Sequence, residues 1–193
     1  MRLKIITACA VLVALAAVAP AAALASPELQ TSAGTKVAVG TGIKVKNEFP
    51  VVYTTAGIIE KKCGPASLTG TVQTNSGSLV ELKIESFKLE GGLCASFTFE
   101  NLPWCLSSSV AGEWVMKGGG CEKENVPLAY SFGSCKYQLS TMIGSYPWKT
   151  SPLSMVTEGQ TWTRVSGMLC ASPTVFDWSL TLITSSGGEL KIV

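Results

Sequence analysis

Between Val80 and Glu85 the chain reads Val-Glu-Leu-Lys-Ile-Glu, with apolar and charged residues in strict alternation. Successive side chains of a β-strand point to opposite faces. This spacing therefore puts Val80, Leu82 and Ile84 on a buried face and Glu81, Lys83 and Glu85 on a wet one. The period recurs along the chain. Leu68, Gly70 and Val72 alternate before a turn at Asn75-Ser76-Gly77, and Phe97 and Phe99 alternate with Thr98 and Glu100. Cys135, Tyr137 and Leu139 share a face, and so do Phe176, Trp178, Leu180 and Leu182. After Ser86 the apolar parity flips to Phe87 and Leu89, which predicts a bulge or a strand end. Pro127 removes an amide ahead of Leu128 and predicts a sheet edge or a strand start there. Glu189 to Val193, after a turn at Ser185–Gly188, is expected to close a C-terminal hairpin. Beyond residue 25 no window of about 11 residues carries the apolar stripe of a helix. The expected fold is all-β, an antiparallel β-sandwich or barrel.

The cysteines bear on how that fold is held. Cys63, Cys94, Cys105, Cys121, Cys135 and Cys170 follow residue 25, and Cys9 precedes it. Structural zinc needs closely spaced Cys pairs or His partners. The closest cysteines here, Cys94 and Cys105, are 11 residues apart, and the chain has no histidine. The six therefore read as disulfide staples with no metal role. They can be joined in several ways. Linking each to its neighbour, Cys63–Cys94, Cys105–Cys121 and Cys135–Cys170, is favoured because each pair then brackets an antiparallel unit; the other connectivities stay open.

The amino-terminal stretch bears on compartment. Met1-Arg2-Leu3-Lys4 is basic, Ile5 to Ala19 is almost wholly apolar, Pro20 breaks the run, and Ala23-Leu24-Ala25 precedes Ser26. That order is a secretory signal peptide over residues 1–25, its apolar run shorter than the roughly 20 residues a membrane helix needs. The expected product is one β domain over 26–193, with 26–57 as peripheral edge strands and no membrane span after cleavage. Of the chain's 15 basic and 13 acidic residues, Arg2 and Lys4 leave with the leader, so 15 − 2 = 13 bases balance 13 acids. A neutral chain has no electrostatic footprint for nucleic acid.

Catalytic chemistry finds little support. Without histidine neither a Ser-His-Asp triad nor a Cys-His pair can be assembled. Glu81 and Glu85 share a strand face but lie about 13 Å apart, beyond the separation of a glycosidase pair. Asp177, the only aspartate, sits on the polar side of its strand. The chain is expected not to be an enzyme and to need no cofactor. Of its five tryptophans, Trp104 and Trp178 fit core positions. Tyr146, Trp148 and Trp162 are the candidate ligand-contact aromatics, because a flat ring between turn residues can stack on a sugar or grip an apolar partner.

Three stretches together, "SLTGTVQTNSGSLVELKIESF" with the following Cys and "NLPW", then "YSFGSCKY", then "LCASPTVFDWSLTL", resemble a group of small exported bacterial β-proteins. The "NLPW" portion is more distantly similar to the group labelled "protein activator of alkane oxidation". The resemblance implies a secreted or surface-located β-domain and carries no catalytic residues over. The function expected is that of a non-catalytic secreted or cell-envelope domain acting by surface contact with a protein or polysaccharide. The alternative is a carbohydrate- or small-ligand-binding module.

Overall fold

A computed structural model describes residues 26–46, 51–55 and 59–193. The signal peptide expected over residues 1–25 lies outside these residues. The chain is all-β. Strands β1 (Leu29–Thr31), β2 (Gly42–Lys46), β3 (Val52–Thr55) and β4 (Ile59–Lys62) open it, and β5 (Ala66–Asn75) and β6 (Val80–Leu89) form a long hairpin. A single 3-10 turn at Gly92–Ser96 leads into β7 (Phe97–Glu100), β8 (Trp104–Ser108) and β9 (Glu113–Lys117). Then come β10 (Leu128–Phe132), β11 (Cys135–Leu139) and β12 (Met142–Ser145). A second long hairpin, β13 (Leu153–Ser166) with β14 (Thr174–Thr184), precedes β15 (Leu190–Ile192).

Eight strands close into an antiparallel barrel in the order β14-β2-β5-β6-β8-β9-β12-β13, with β13 pairing back onto β14. Its interior is filled by the alternating residues of each strand, Val80, Leu82 and Ile84 among them, all fully buried. Glu81, Lys83 and Glu85 face outward, the reverse of the apolar-out pattern of a membrane barrel. Among the described residues no helix is long and apolar enough to cross a membrane.

The long hairpins outrun the barrel and build a second layer. Past Thr157 the β13–β14 ladder shifts register, so that Glu158 and Gly159 stand opposite Asp177 alone. The Asp177 carboxylate accepts the Gly159 amide at 2.6 Å, and Gly159 takes a positive φ of 66° that suits glycine. Beyond this bulge β13 joins β11, β10 and β7, while β14 joins β3 and β4. Parity on β6 flips for the same kind of reason. Thr69 faces Ser86 and Gly70 faces Ile84, which leaves Glu85 as the extra residue. Phe87 and Leu89 are thereby turned toward an aromatic core with Phe97, Phe99, Tyr130, Trp162 and Phe176. Ring pairs such as Phe87–Phe99, edge to face with centroids 4.7 Å apart, fill it. Trp104 and Trp178 are both buried there. The barrel and aromatic cores form one continuous cluster.

Two expectations are corrected. β2 is no peripheral edge strand: it lies inside the barrel between β14 and β5, and both its edges are used. The antiparallel Ile183–Glu189 bridge closes the turn after β14, but β15 does not extend it into a ladder on that strand. One side of β14 is already taken by β13 at Leu182–Leu153 and the other by β2. The chain therefore peels away, and β15 pairs with β1 in a two-stranded ribbon.

Asn75 ties this ribbon to the barrel. Its side-chain carbonyl accepts the Leu29 amide at 2.8 Å, and its amide nitrogen donates to the carbonyls of Leu29 at 2.8 Å and Val37 at 2.9 Å. Asn75 is buried, so losing its amide strands backbone groups away from water. Asn75→Ala is expected to lower unfolding stability by about 2–4 kcal/mol, measured from the shift of the urea midpoint at constant slope.

Candidate functional site

The three disulfides join each cysteine to its neighbour in sequence, the arrangement favoured from the order of the cysteines. Cys63–Cys94 anchors the 3-10 turn before β7, Cys105–Cys121 pins the loop after β9 to β8, and Cys135–Cys170 ties the β13–β14 connection to the start of β11. With loops of 31, 16 and 35 residues, each constrains the unfolded chain by about 3–4 kcal/mol. Glu81 lies close to the sulfurs of Cys105 and Cys121, but those sulfurs are bonded to one another. Its carboxylate accepts from the Thr74 hydroxyl at 2.6 Å.

The candidate aromatics do not converge. Trp162 is wholly buried on the inner face of β13, edge to face with Tyr130 at 5.0 Å. The two-residue bulge before it shifts the strand's parity and turns the ring inward, so it offers no face to a ligand. Tyr146 is buried as well, its hydroxyl 2.9 Å from that of Ser108; burial raises its phenol pKa. Trp148 alone of the three is half-buried, 6.2 Å from Tyr146, on a turn fixed by the Lys149 amide donating to the Ile192 carbonyl. Tyr146 and Trp148 cap one region of the core, and Trp162 belongs to the aromatic layer.

Two other features stand out. The first is the connection between β13 and β14. Met168 is 92% and Leu169 100% exposed, with Val165 at 49% beside them. Their loop is nonetheless tightly braced. The Arg164 guanidinium donates to the carbonyls of Met168 at 3.2 Å and Cys170 at 2.6 Å, and the Tyr137 hydroxyl donates to that of Ala171 at 2.8 Å. Gly167 has a φ of 93°, and a Cβ there would lie 2.3 Å from the Cys170 sulfur. A fixed backbone thus presents two apolar side chains to water.

The second is a slot of about 600 Å³ between β6 and β7. β8 accompanies β6 only as far as Ile84–Trp104. Upstream of Trp104 the chain turns at Asn101, whose side-chain amide donates to the Pro127 carbonyl at 2.8 Å. The Trp104 indole donates to the Glu100 carbonyl at 2.9 Å. β7 is thereby swung across to β10, and residues 86–89 of β6 pair only with β5. Phe87, Leu89, Phe97 and Phe99 floor the slot, and Ser86, Lys88, Glu90 and Thr98 contribute its polar walls. At the foot of β7 the Lys136 ammonium, 2.5 Å from Glu100, holds that carboxyl below the usual carboxylate range.

Tip and slot share one rim. Phe97 pairs with Phe132, Phe132 with Cys135, and Lys136 with Ser166, so one row of residues crosses the sheet from slot to tip. Three strand spacings separate them, about 14 Å. Neither feature is evident in the sequence. Met168 and Leu169 carry no strand alternation, and only Gly167 beside them hints at a loop.

The Cys135–Cys170 bond is expected to be what keeps the tip ordered. With both cysteines replaced by alanine, amides of 167–171 should exchange hydrogen at least tenfold faster while those of β5 and β6 keep their protection, as read by hydrogen-exchange mass spectrometry.

Comparison with protein-family models, with curated proteins and with solved structures finds no match to this chain.

Proposed function

We propose that this chain is an exported, non-catalytic β-domain that works outside the cytoplasm, in the envelope or extracellular matrix, through surface contact with a protein or polymer. The observation that carries this reading is the braced tip. An ordered backbone that holds Met168 and Leu169 in water has already met the entropy cost of ordering a contact loop. The three disulfides are compatible with an oxidising compartment, and the sequence of residues 1–25 supplies the means of export. The resemblance to small exported bacterial β-proteins points the same way.

A second reading, the carbohydrate- or small-ligand-binding module, draws on the slot in place of Tyr146 and Trp162. Its volume of about 600 Å³ falls in the ~300–1,000 Å³ range of ligand pockets, and an aromatic floor with polar walls suits a sugar face. Phe87 contacts both Trp104 and Trp178, so an occupant would perturb indole emission.

Fractionation tests the first reading. The full-length chain should be retained with envelope material in its native host, and Met168→Asp with Leu169→Asp should cut the retained share severalfold. Wild-type protein found only free in the medium, or equal retention of the variant, would remove the support. Titration with an oligosaccharide panel tests the second: a saturable shift in tryptophan fluorescence, abolished by Thr98→Trp, is its expected signature.

A further inference from the structure

We propose that the slot between β6 and β7 receives an extended segment of another protein, which enters as an additional β-strand and bonds through its main chain to both walls. The proposal concerns a second surface and stands independently of the tip. Its basis is the set of backbone groups that face the slot, which the strand registers fix. In an antiparallel pair, residues that exchange backbone hydrogen bonds alternate with residues whose N–H and C=O point away from the partner. On β6 the Glu90 amide donates to the Pro65 carbonyl at 3.0 Å. Lys88 opposite Ser67 and Ser86 opposite Thr69 therefore also bond to β5, while Phe87 and Leu89 turn their amides and carbonyls to the other edge. β8 covers that edge only as far as Ile84. The same count applies to β7. Phe132 and Cys135 flank a two-residue hairpin loop, so they form a bonded pair and Tyr130 with Tyr137 the next. Ser131 and Ala129 are left to bond Thr98 and Glu100 of β7. The Phe99 amide and carbonyl and the Phe97 carbonyl then face the slot, the Phe97 amide being taken by the Cys94 carbonyl.

Two sheet edges thus border the slot, and among the described residues neither has a strand partner there. The 3-10 turn anchored by Cys63–Cys94 at one end of β7, and the Asn101 turn at the other, hold the edges apart. This pattern selects the occupant. Donors and acceptors that recur at every second residue match the main chain of an extended polypeptide. The phenyl floor is already buried, so the occupant gains main-chain bonds and no deep side-chain pocket. Lys88 and Glu90 stand on one wall and leave it without a charge preference. The segment expected is uncharged, with small side chains toward the floor, and spans the length of Ser86–Glu90. It continues along β6 the cover that β8 begins. Seven antiparallel pairings lead round the sheet from β7 to β6, so the two walls run in opposite senses. A strand between them is antiparallel to one wall and parallel to the other, and its alternate residues bond to alternate walls.

Hydrogen exchange followed residue by residue by NMR on the oxidised chain, residues 26–193, tests the free slot. The amides of Phe87, Leu89 and Phe99 should exchange at least tenfold faster than those of Ser86, Lys88 and Thr98, which are bonded to β5 and β10. Equal protection of the two sets would mean that the edges are already satisfied, and would overturn the proposal. A random decapeptide library displayed on phage then supplies the probe, counter-selected against Ala95→Trp. Ala95 is exposed and lines the slot, so the indole plugs it while the variant should keep the wild-type urea midpoint. Enriched peptides should slow exchange at Phe87, Leu89 and Phe99 and bind Ala95→Trp at least tenfold more weakly. Methylating any one central peptide nitrogen should cost about tenfold in affinity, the loss of one hydrogen bond, because both parities of the strand are bonded. A library that yields no enriched sequence, or peptides indifferent to N-methylation, would overturn strand addition. Protection of the same amides by an oligosaccharide and by no peptide would overturn it in favour of a sugar.

Discussion

The β13–β14 ladder is the interaction on which the rest of the molecule depends. Along Leu153–Thr157 it closes the barrel, because β14 pairs with β2 on its far side and β13 leads on to β12. Past the bulge the same two strands become the centre of the second layer, with β11 on one flank and β3 on the other. A single pair of strands therefore serves two cores, and the change of direction between them is concentrated at Glu158, Gly159 and Asp177. The Asp177 carboxylate is best understood as the clasp of that bend. A carboxylate accepting a backbone amide there satisfies a group the ladder has dropped, which gives this outward-facing acid a structural role.

Much of the fold was legible in the sequence wherever burial enforces a period of two. The Val80–Ile84 alternation, the parity flip after Ser86, the start of β10 after Pro127 and the inward face of β14 all follow from side chains that must choose between core and water. The pairing of the cysteines was legible for a related reason, since neighbours in sequence flank strands that meet. What stayed hidden depends on three-dimensional competition. β15 leaves β14 because both edges of that strand are occupied, a fact that belongs to β2 and β13 and not to residues 189–193. β2 looked weakly patterned because Gly40, Thr41 and Gly42 precede it, yet it is enclosed on both sides. Trp162 looked available because the bulge that reverses its direction is spelled only as Thr-Glu-Gly-Gln.

The candidate surface was less legible than the fold. The slot owes nothing to a motif; it opens because β8 and β7, consecutive in the chain, choose different partners at the Asn101 turn. The tip escapes a reading of the sequence for the opposite reason. Hydrophobic residues are usually informative about the interior, and Met168-Leu169 sits between a buried cysteine and a strand. Only the brace of Arg164, Tyr137 and the Cys135–Cys170 bond shows the loop held away from the core. Large, fully exposed apolar side chains on an ordered backbone are informative about contact surfaces, whereas the half-buried Trp148 is ordinary.

The ribbon formed by β1 and β15 has a consequence for how the chain reaches this state. Residues 29–31 find their strand partner only once residues 190–192 exist, and β2, which can pair with β5 early, has its second edge covered only when β14 arrives. A ribosome or an export channel delivers the chain from one end, so vectorial emergence cannot yield a finished barrel piecemeal. Such long-range pairing is slow relative to local hairpin formation. The β5–β6 hairpin is the natural early seed, and the ribbon of β1 with β15 forms last, when the final segment arrives and locks the ends together.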